Sequence, residues 1–259
     1  MKQNKEVRIA VLIDADNIPS TNIKEMMEEI AKYGTPTFKR IYGDWTQPNL
    51  GGWKRVLLEN AITPIQQYGY TKGKNSTDSN MIIDAMDILY SEKVDGFCIV
   101  SSDSDFTRLA TRLREAGMLV IGLGEKKTPN PFIVACDKFI YLEILKVPEE
   151  VIEVSSHSGK NQKKKKSETK EALQKIGNDT IQLISTSITS LGDDSGWAFL
   201  GDVGNLILKK QPSFDPRNFG YMKLALLLKS IGKFEIDERV TDNKSIKLVY
   251  VRLKEKMKY

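Results

Sequence analysis

The chain has 259 residues, of which 40% are hydrophobic and 28% charged, so a buried core in one large or two ordinary domains is expected. Two cysteines and one histidine argue against a disulfide scaffold and a zinc site, and no apolar run approaches the ~20 residues of a membrane helix. Residues 1–150 carry 19 basic and 21 acidic side chains, whereas residues 151–259 carry 20 and 13, so a near-neutral half precedes a basic half suited to binding anions.

Apolar strands alternate with amphipathic helices up to about residue 143. This pattern predicts a doubly wound α/β domain with a mainly parallel sheet and right-handed crossovers. Strands are predicted at 7–14, 37–43, 62–68, 96–101 and 119–123, with a shorter sixth at 139–142, and helices at 22–33, 52–60, 78–90 and 105–116. With the strand order 3-2-1-4-5, the first and fourth strands are neighbours at the point where the order reverses.

The composition changes after the first domain. Residues 155–170 are rich in serine and lysine and are typical of a solvated basic linker, which contains the run Lys163, Lys164, Lys165 and Lys166. We therefore predict a domain over 1–148, a linker over 149–170 and a smaller domain over 171–259. The smaller domain has predicted helices at 171–190, 200–210 and 221–231 and predicted strands at 233–240 and 245–253, the order of elements in a winged helix-turn-helix.

Four aspartates are predicted to converge at one edge of the sheet. Asp14 ends the first strand, Asp103 and Asp105 follow the fourth, and Asp78 opens the helix at 78–90. In a parallel sheet, strand carboxyl ends and helix amino ends share one edge. Carboxylates that meet there repel one another unless a cation or a shared proton intervenes, and an all-oxygen set suits Mg²⁺ or Mn²⁺. The sequence therefore predicts metal-dependent chemistry on phosphate esters.

Each of these polar residues also has a structural interpretation. Asp14 and Asn17 could cap the following helix, because their side chains accept hydrogen bonds from free backbone amides, and Asp105 is the better candidate for a plain N-cap. Asn17 could instead orient substrate or a coordinated water. Asp84 lies six residues after Asp78 and is turned away from it. It could join the site from below, but a supporting role behind the site or a role in helix pairing is favoured.

Several residues near the same edge are candidates for RNA contacts. Lys72 and Lys74 precede the helix at 78–90 and could hold a phosphate, or belong to a solvated loop. Trp45 and Trp53 flank a loop after the second strand, where an aromatic ring could stack on an unpaired base, although packing the loop onto the domain is the commoner role. No glycine-rich nucleotide-binding motif occurs.

Five motifs occur in a defined order along the first half. They are Ile13-Asp14-Ala15-Asp16-Asn17, Tyr42-Gly43-Asp44-Trp45, Lys74-Asn75-Ser76-Thr77-Asp78, Asp84-Ala85-Met86-Asp87 and Ser101-Ser102-Asp103-Ser104-Asp105-Phe106. Together they resemble the NYN domain of the PIN-like nuclease superfamily, in its LabA-like branch, over about residues 7–145. The resemblance implies a PIN-like α/β fold and Mg²⁺- or Mn²⁺-dependent ribonuclease activity. Carried over by position, the metal ligands are Asp14, Asp78, Asp103 and Asp105, with Asn17 beside them and Ser102 as a nucleic-acid contact.

The second half carries a further set of motifs: Trp197, Gly204-Asn205-Leu206, Phe214-Asp215-Pro216-Arg217-Asn218-Phe219-Gly220-Tyr221 and Leu226-Leu227-Leu228. They resemble an OST-HTH domain, also called LOTUS, which implies RNA binding and, in some members, helicase partners. Arg217 and the lysine run at 163–166 are the expected nucleic-acid contacts here. The expected partners are RNA and a helicase or other protein, homo-oligomerisation is compatible with this interpretation, and no membrane is involved. Because residues 1–6 contain no secretion signal, we expect a cytoplasmic protein.

The main functional hypothesis is a metal-dependent ribonuclease, acting as an endonuclease, with a C-terminal RNA-binding module. One alternative is a non-catalytic RNA-binding or adaptor protein whose acidic cluster is vestigial. Another is a phosphatase of the haloacid-dehalogenase type, because Asp14-Ala15-Asp16 resembles its DxD nucleophile motif. That alternative requires Asp14 to become covalently phosphorylated, and Asn17 replaces the Thr or Val usual after DxD.

Overall fold

The computed structural model describes residues 6–68, 76–145, 173–240 and 247–254. The chain divides into two compact units, Met1–Lys146 and Val147–Tyr259. Across the described ranges, no helix combines the length and the apolar character needed to cross a bilayer.

The first unit is a six-stranded parallel sheet with helices on both faces. Its strands are β1 (Arg8–Asp14), β2 (Thr35–Gly43), β3 (Thr63–Gln66), β4 (Gly96–Val100), β5 (Leu119–Gly124) and β6 (Lys138–Tyr141). Its helices are α1 (Ile23–Ala31), α2 (Trp53–Asn60), α3 (Ser76–Tyr90), α4 (Thr107–Glu115), α5 (Asn130–Ala135) and α6 (Leu142–Leu145). The strand order β3-β2-β1-β4-β5-β6 confirms the predicted order and adds β6 at one edge.

The central strand β1 is covered on both faces. Ile9, Val11 and Ile13 pack in the core cluster that includes α1, α2 and α6, whereas Ala10 and Leu12 pack in the cluster that includes α3, α4 and α5. A parallel strand buried on both sides has a continuous apolar run rather than an alternating one, and β1 has that run. The strand is therefore held firmly, and the residue at its carboxyl end has a fixed position.

The helices follow the predicted periodicity where they are long enough to show it. In α1, Ile23, Met26 and Ile30 are buried and Met27 is partly buried, as the stripe predicted. The helices α5 and α6 were not predicted, because six and four residues are too few for a helical period to be recognised.

The order of the strands reverses between β1 and β4. On one side of β1, Asp14 pairs with Tyr42 of β2, and on the other side Ile13 pairs with Val100 of β4. Ligands of doubly wound sheets bind in the crevice at the carboxyl ends of the strands where the order reverses. The ends of β1 and β4 form that crevice here.

The second unit has a small core of its own. Its elements are α7 (Asn178–Leu191), β7 (Ala198–Phe199), α8 (Leu200–Lys210), α9 (Leu224–Ile231), β8 (Phe234–Val240) and β9 (Lys247–Leu253), and the antiparallel sheet has the order β7-β9-β8. The predicted helix at 200–210 has the observed bounds. The predicted first helix begins later than expected, at Asn178, because Gly177 has an extended conformation. The predicted third helix also begins later, at Leu224, because Lys223 has an extended conformation.

Candidate metal centre

Asp14 lies at the carboxyl end of β1 with only 1% of its surface exposed. Its carboxylate accepts hydrogen bonds from the Asn17 amide at 2.7 Å, the Ser101 hydroxyl at 2.8 Å and the Asp16 backbone N–H at 3.1 Å. A buried carboxylate is costly unless hydrogen-bond donors replace its water, and three donors do so here. Asp14 therefore places a fixed negative charge directly beneath the crevice.

Ser101, the first residue after β4, joins the two strand ends. Its buried hydroxyl donates to Asp14 and accepts the backbone N–H of Asp103 at 3.0 Å. Gly124 lies close above this residue, since a Cβ at that position would stand 2.5 Å from the Ser101 carbonyl oxygen. The sequence analysis did not predict that Ser101 bridges the two strand ends. The sequence signal for this role is a polar residue directly after an apolar strand.

Asp103 and Asp105 lie on a 3-10 turn, Ser104–Phe106, between β4 and α4. The Asp103 carboxylate accepts the backbone N–H of Asp105 at 3.0 Å and so caps the turn. The sequence favoured Asp105 as the N-cap, and this was wrong, because a 3-10 turn begins at Ser104, one residue before the predicted start of the helix, and Asp103 caps it. The buried Phe106 ring anchors the turn in the core.

Asp78 completes the cluster from the first turn of α3, with 9% of its surface exposed. One carboxylate oxygen from each of Asp78, Asp103 and Asp105 lies within 4.8 Å of the other two. Oxygens in an octahedral Mg²⁺ shell lie at about 2.1 Å from the ion, so opposite ligands are about 4.2 Å apart. The three carboxylates can therefore close on one cation by small side-chain movements. Asp14 is not part of this group of oxygens.

The charge of the cluster is visible in the acid–base properties of Asp78. Burial, followed by the neighbouring charges of Asp14, Asp103, Asp105 and Asp16 in that order, raises the pKa of its carboxyl to about 6. Repulsion of this kind is relieved when a divalent cation binds between the carboxylates. The arrangement thus favours an oxygen-ligated Mg²⁺ or Mn²⁺, for which carboxylates are the preferred protein ligands.

Two further aspartates border the cluster. Burial and the charges of Asp14 and Asp44 raise the pKa of Asp16, which also accepts a 3.2 Å hydrogen bond from the Thr77 hydroxyl. The pKa of Asp44 is lowered, because Thr46 and two glutamine amides donate to its carboxylate. Both residues belong to the family motifs found in the sequence, but the sequence analysis predicted no role for either at the site.

The predicted RNA contacts in the first unit are mostly engaged with the protein. The Trp45 indole N–H donates to the Ile65 carbonyl at 3.0 Å, and its ring packs against the core. Trp53 is buried, so it packs the loop onto the domain. The buried Ser102 hydroxyl accepts the backbone N–H of Glu125 at 2.9 Å. Base stacking by Trp45 and an RNA contact by Ser102 stay predictions.

The basic candidates have different outcomes. Lys72, Lys74 and the lysine run at 163–166 lie outside the described residues. In the second unit, the Arg217 guanidinium donates to both carboxylate oxygens of Asp215, at 3.0 and 2.7 Å, and only 16% of the side chain is exposed. Its contact with RNA stays a prediction.

Asp84 lies outside the group of cluster oxygens and pairs α3 with the sheet, whereas the sequence analysis favoured a role behind the site or in helix pairing. Its carboxylate is hydrogen-bonded by the Arg40 guanidinium and the Tyr42 hydroxyl, both on β2. Burial and the bond to Asp84 raise the pKa of Tyr42, so its hydroxyl remains a donor. This anchor fixes the helix that carries Asp78.

Comparison with known proteins gives two family matches. The NYN domain matches residues 8–143, and the OST-HTH/LOTUS domain matches residues 160–246. Among solved structures, a protein of unknown function from Vibrio parahaemolyticus RIMD 2210633 is 19% identical, with a TM-score of 0.46, over 54% of this chain and 94% of that chain. An uncharacterized protein from Nitrosomonas europaea is 30% identical, with a TM-score of 0.32, over 41% of this chain and 94% of that chain. The search of curated proteins gave no match. Since the first match spans more than half of its length, the chain belongs to the NYN domain family and carries an OST-HTH/LOTUS domain in its C-terminal half.

Proposed function

We propose that the chain is an Mg²⁺- or Mn²⁺-dependent endoribonuclease with a C-terminal RNA-binding module. The observation that carries this proposal is the meeting of Asp78, Asp103 and Asp105 at the crevice between β1 and β4, with one oxygen of each within 4.8 Å of the others. Membership of the NYN family, a branch of the PIN-like nucleases, supports hydrolysis of phosphodiester bonds. The OST-HTH/LOTUS match supports RNA as the substrate.

Asp78, Asp103 and Asp105 would hold the cation. They project from α3 and from the turn after β4, two segments that buried side chains such as Met81 and Phe106 fix to the sheet. When bound, the cation supplies a Lewis acid that polarises the scissile phosphate and lowers the pKa of a water. Rigid support matters, because a displacement of about 1 Å at such a site costs roughly a hundredfold in rate.

Asp14 and Asn17 act behind and beside the cation ligands. The Asp14 carboxylate adds negative charge beneath them and, through Ser101, aligns the segment that carries Asp103. Asn17 donates one amide hydrogen to Asp14, which orients its side chain at the rim of the crevice. Its second amide hydrogen is then suited to a phosphate oxygen of the substrate.

The acidic centre, formed by Asp14, Asp78, Asp103 and Asp105, cannot attract RNA by itself, because phosphates and carboxylates repel one another. The attraction comes from the basic half of the chain, which carries 20 basic against 13 acidic side chains over residues 151–259. Contacts between lysine or arginine and phosphates release counterions, so binding should weaken steeply with salt and discriminate poorly between sequences. The chain thus separates RNA capture from cleavage.

The burial of Asp14 argues against the phosphatase alternative. A nucleophilic aspartate must present a carboxylate oxygen to the substrate phosphorus. Asp14 is 1% exposed and accepts hydrogen bonds from Asn17, Ser101 and Asp16. Covalent phosphorylation of this residue would have to break that arrangement first.

The test is cleavage of labelled single-stranded and structured RNAs by the purified full chain, with Mn²⁺ or with EDTA. We expect cleavage only with the metal, and a loss of at least about a hundredfold for Asp103→Asn with unchanged RNA affinity. Glu25→Gln, a change at an exposed acidic residue on α1, is the control and should cleave normally. Cleavage that persists in EDTA and in Asp103→Asn would overturn the proposal. An absence of both Mn²⁺ binding and cleavage would favour the non-catalytic adaptor.

A further inference from the structure

A groove of about 490 Å³ runs along the outer half of the sheet on the side of α3. Phe38 and Arg40 of β2 and Ile65 of β3 line it from the sheet, and Asn80 and Ile83 line it from α3. Its volume falls within the roughly 300–1,000 Å³ of ligand-binding clefts. None of the residues that form the acidic centre belongs to it.

The cations that line the groove already have partners. Arg40 is paired with Asp84, and the Lys39 ammonium donates to the Asn60 carbonyl at 2.6 Å. Asp87 adds a carboxylate on the wall formed by α3. A phosphate or an acidic peptide therefore gains little here, because both nearby cations have partners and an uncompensated carboxylate faces the same space.

The remaining lining includes an aromatic ring, an exposed aliphatic side chain and a neutral amide. The Arg40 guanidinium lies over the Phe38 ring, 5.4 Å from its centroid, in a cation–π contact. Ile83 is 62% exposed and presents its side chain to the groove without a covering partner among the described residues. The Asn80 side chain adds an amide that can both donate and accept hydrogen bonds. A neutral flat ring with hydrogen-bonding edges fits this combination.

The groove leads toward the acidic centre along β2. Arg40 precedes Asp44 by four residues, and at about 3.3 Å per residue the two lie roughly 13 Å apart along the strand. Asp44 follows the carboxyl end of β2 and is near enough to Asp16 to raise its pKa. A chain lying across the acidic edge can thus reach the groove within a few nucleotides.

We propose that this groove binds an unpaired nucleobase of the RNA substrate, close to but distinct from the scissile phosphate. The inference rests on the proposed ribonuclease function for the identity of the ligand. The base stacks against the Phe38–Arg40 pair and Ile83, and the Asn80 amide contacts its polar edge. Stacking is tolerant of sequence, so the groove favours single-stranded over paired RNA.

The first test replaces the exposed isoleucine. Ile83→Glu places a charge in the groove and should raise KM for a single-stranded RNA about tenfold with kcat nearly unchanged. Leu58→Glu is the matched control, because Leu58 is an exposed apolar residue on α2 that does not line the groove. Equal KM values for the two variants would overturn the inference.

The second test locates the base directly. The full chain carrying Asp103→Asn is cross-linked by ultraviolet light to an RNA containing 4-thiouridine, and tryptic peptides are identified by mass spectrometry. The peptide 33–39 contains Phe38 and no residue of the acidic centre, so a cross-link there, lost in Ile83→Glu, supports the groove. Metal-dependent cleavage by the wild-type chain without any cross-link in this peptide would overturn the groove and leave the nuclease proposal standing. A cross-link with no cleavage by the wild-type chain would overturn the nuclease proposal alone.

Discussion

The Ser101 hydroxyl donates a 2.8 Å hydrogen bond to Oδ2 of Asp14 across the boundary between β4 and β1. The Ser101 hydroxyl oxygen also accepts the backbone N–H of Asp103 at 3.0 Å. One buried hydroxyl therefore sets the position of the Asp14 carboxylate on β1 relative to the segment after β4 that carries Asp103, a proposed cation ligand. Groups that orient metal ligands in this way typically contribute a factor of ten to a hundred to affinity or activity.

Ser101→Ala should lower Mn²⁺ affinity and cleavage rate by about ten- to a hundredfold, because Asp14 loses a donor and the Asp103 segment loses its anchor. Isothermal titration with Mn²⁺ and a cleavage assay measure the two effects. Ser104→Ala is the control, since Ser104 is exposed on the neighbouring turn. Wild-type metal affinity in Ser101→Ala would show that the bridge does not position the site.

Asp14 and Asp103 are expected to differ in their effect on the metal. The Asp103 carboxylate belongs to the group of oxygens within 4.8 Å, whereas Asp14 lies outside it and is bonded to three donors. Asp103→Asn should therefore weaken Mn²⁺ binding by a hundredfold or more, and Asp14→Asn by only about tenfold. Titration calorimetry of the two variants compares them directly. An equal or larger loss for Asp14→Asn would make Asp14 a direct ligand, as the family resemblance implies.

The position of Asp14 beside Asp103 was predictable from the sequence, because two apolar runs of strand length each end in aspartate. A parallel sheet brings such ends to one edge, and right-handed crossovers leave few alternative strand orders. The bridge through Ser101 was not predictable in the same way. It depends on a hydroxyl orientation and on separations of about 3 Å, which no periodicity in the sequence encodes.

The wrong prediction of Asp105 as the N-cap has a related cause. Sequence patterns place helix starts to within a few residues, and a 3-10 turn before α4 moved the N-cap to Asp103. The pairing of Asp84 with Arg40 and Tyr42 shows the opposite case. Helical geometry alone turned Asp84 away from Asp78, but only the packed fold identifies the partners on β2.

The stability of the metal-free chain should depend on pH through Asp78. Its pKa is raised from 3.8 to about 6, mainly by burial and then by the charge of Asp14. The protonated carboxyl is therefore the form that the fold favours, so this contribution to stability is complete below about pH 4 and is lost as the pH rises through about 6. Scanning calorimetry in EDTA between pH 4.5 and 7.5 should show a falling melting temperature for the first unit.

Asp78→Asn is the informative comparison for this pH dependence. The amide removes the repulsion and should raise the metal-free melting temperature at pH 7 by about 2–4 °C, with a flatter pH profile. Mn²⁺ affinity of the wild-type chain should rise about tenfold per pH unit below 6 and level off above it, because the ion displaces a proton. A pH profile of stability that is the same in Asp78→Asn and wild type would assign the dependence to other groups.

Asp84 should contribute to stability rather than to chemistry. Asp84→Ala leaves the Arg40 guanidinium and the buried Tyr42 hydroxyl without their shared acceptor, and we expect a loss of about 2–3 kcal/mol in the unfolding free energy of the first unit. Asp87 lies three residues further along α3. Asp87→Ala removes an exposed carboxylate and should change the unfolding free energy by less than about 0.5 kcal/mol. Calorimetric unfolding of the full chain separates these outcomes. Since α3 also carries Asp78, Asp84→Ala should weaken Mn²⁺ binding in parallel. Tyr42→Phe keeps the pair between Arg40 and Asp84, so it should lower the unfolding free energy and the Mn²⁺ affinity by less. Equal stability of Asp84→Ala and Asp87→Ala would mean that apolar packing alone holds α3 on the sheet.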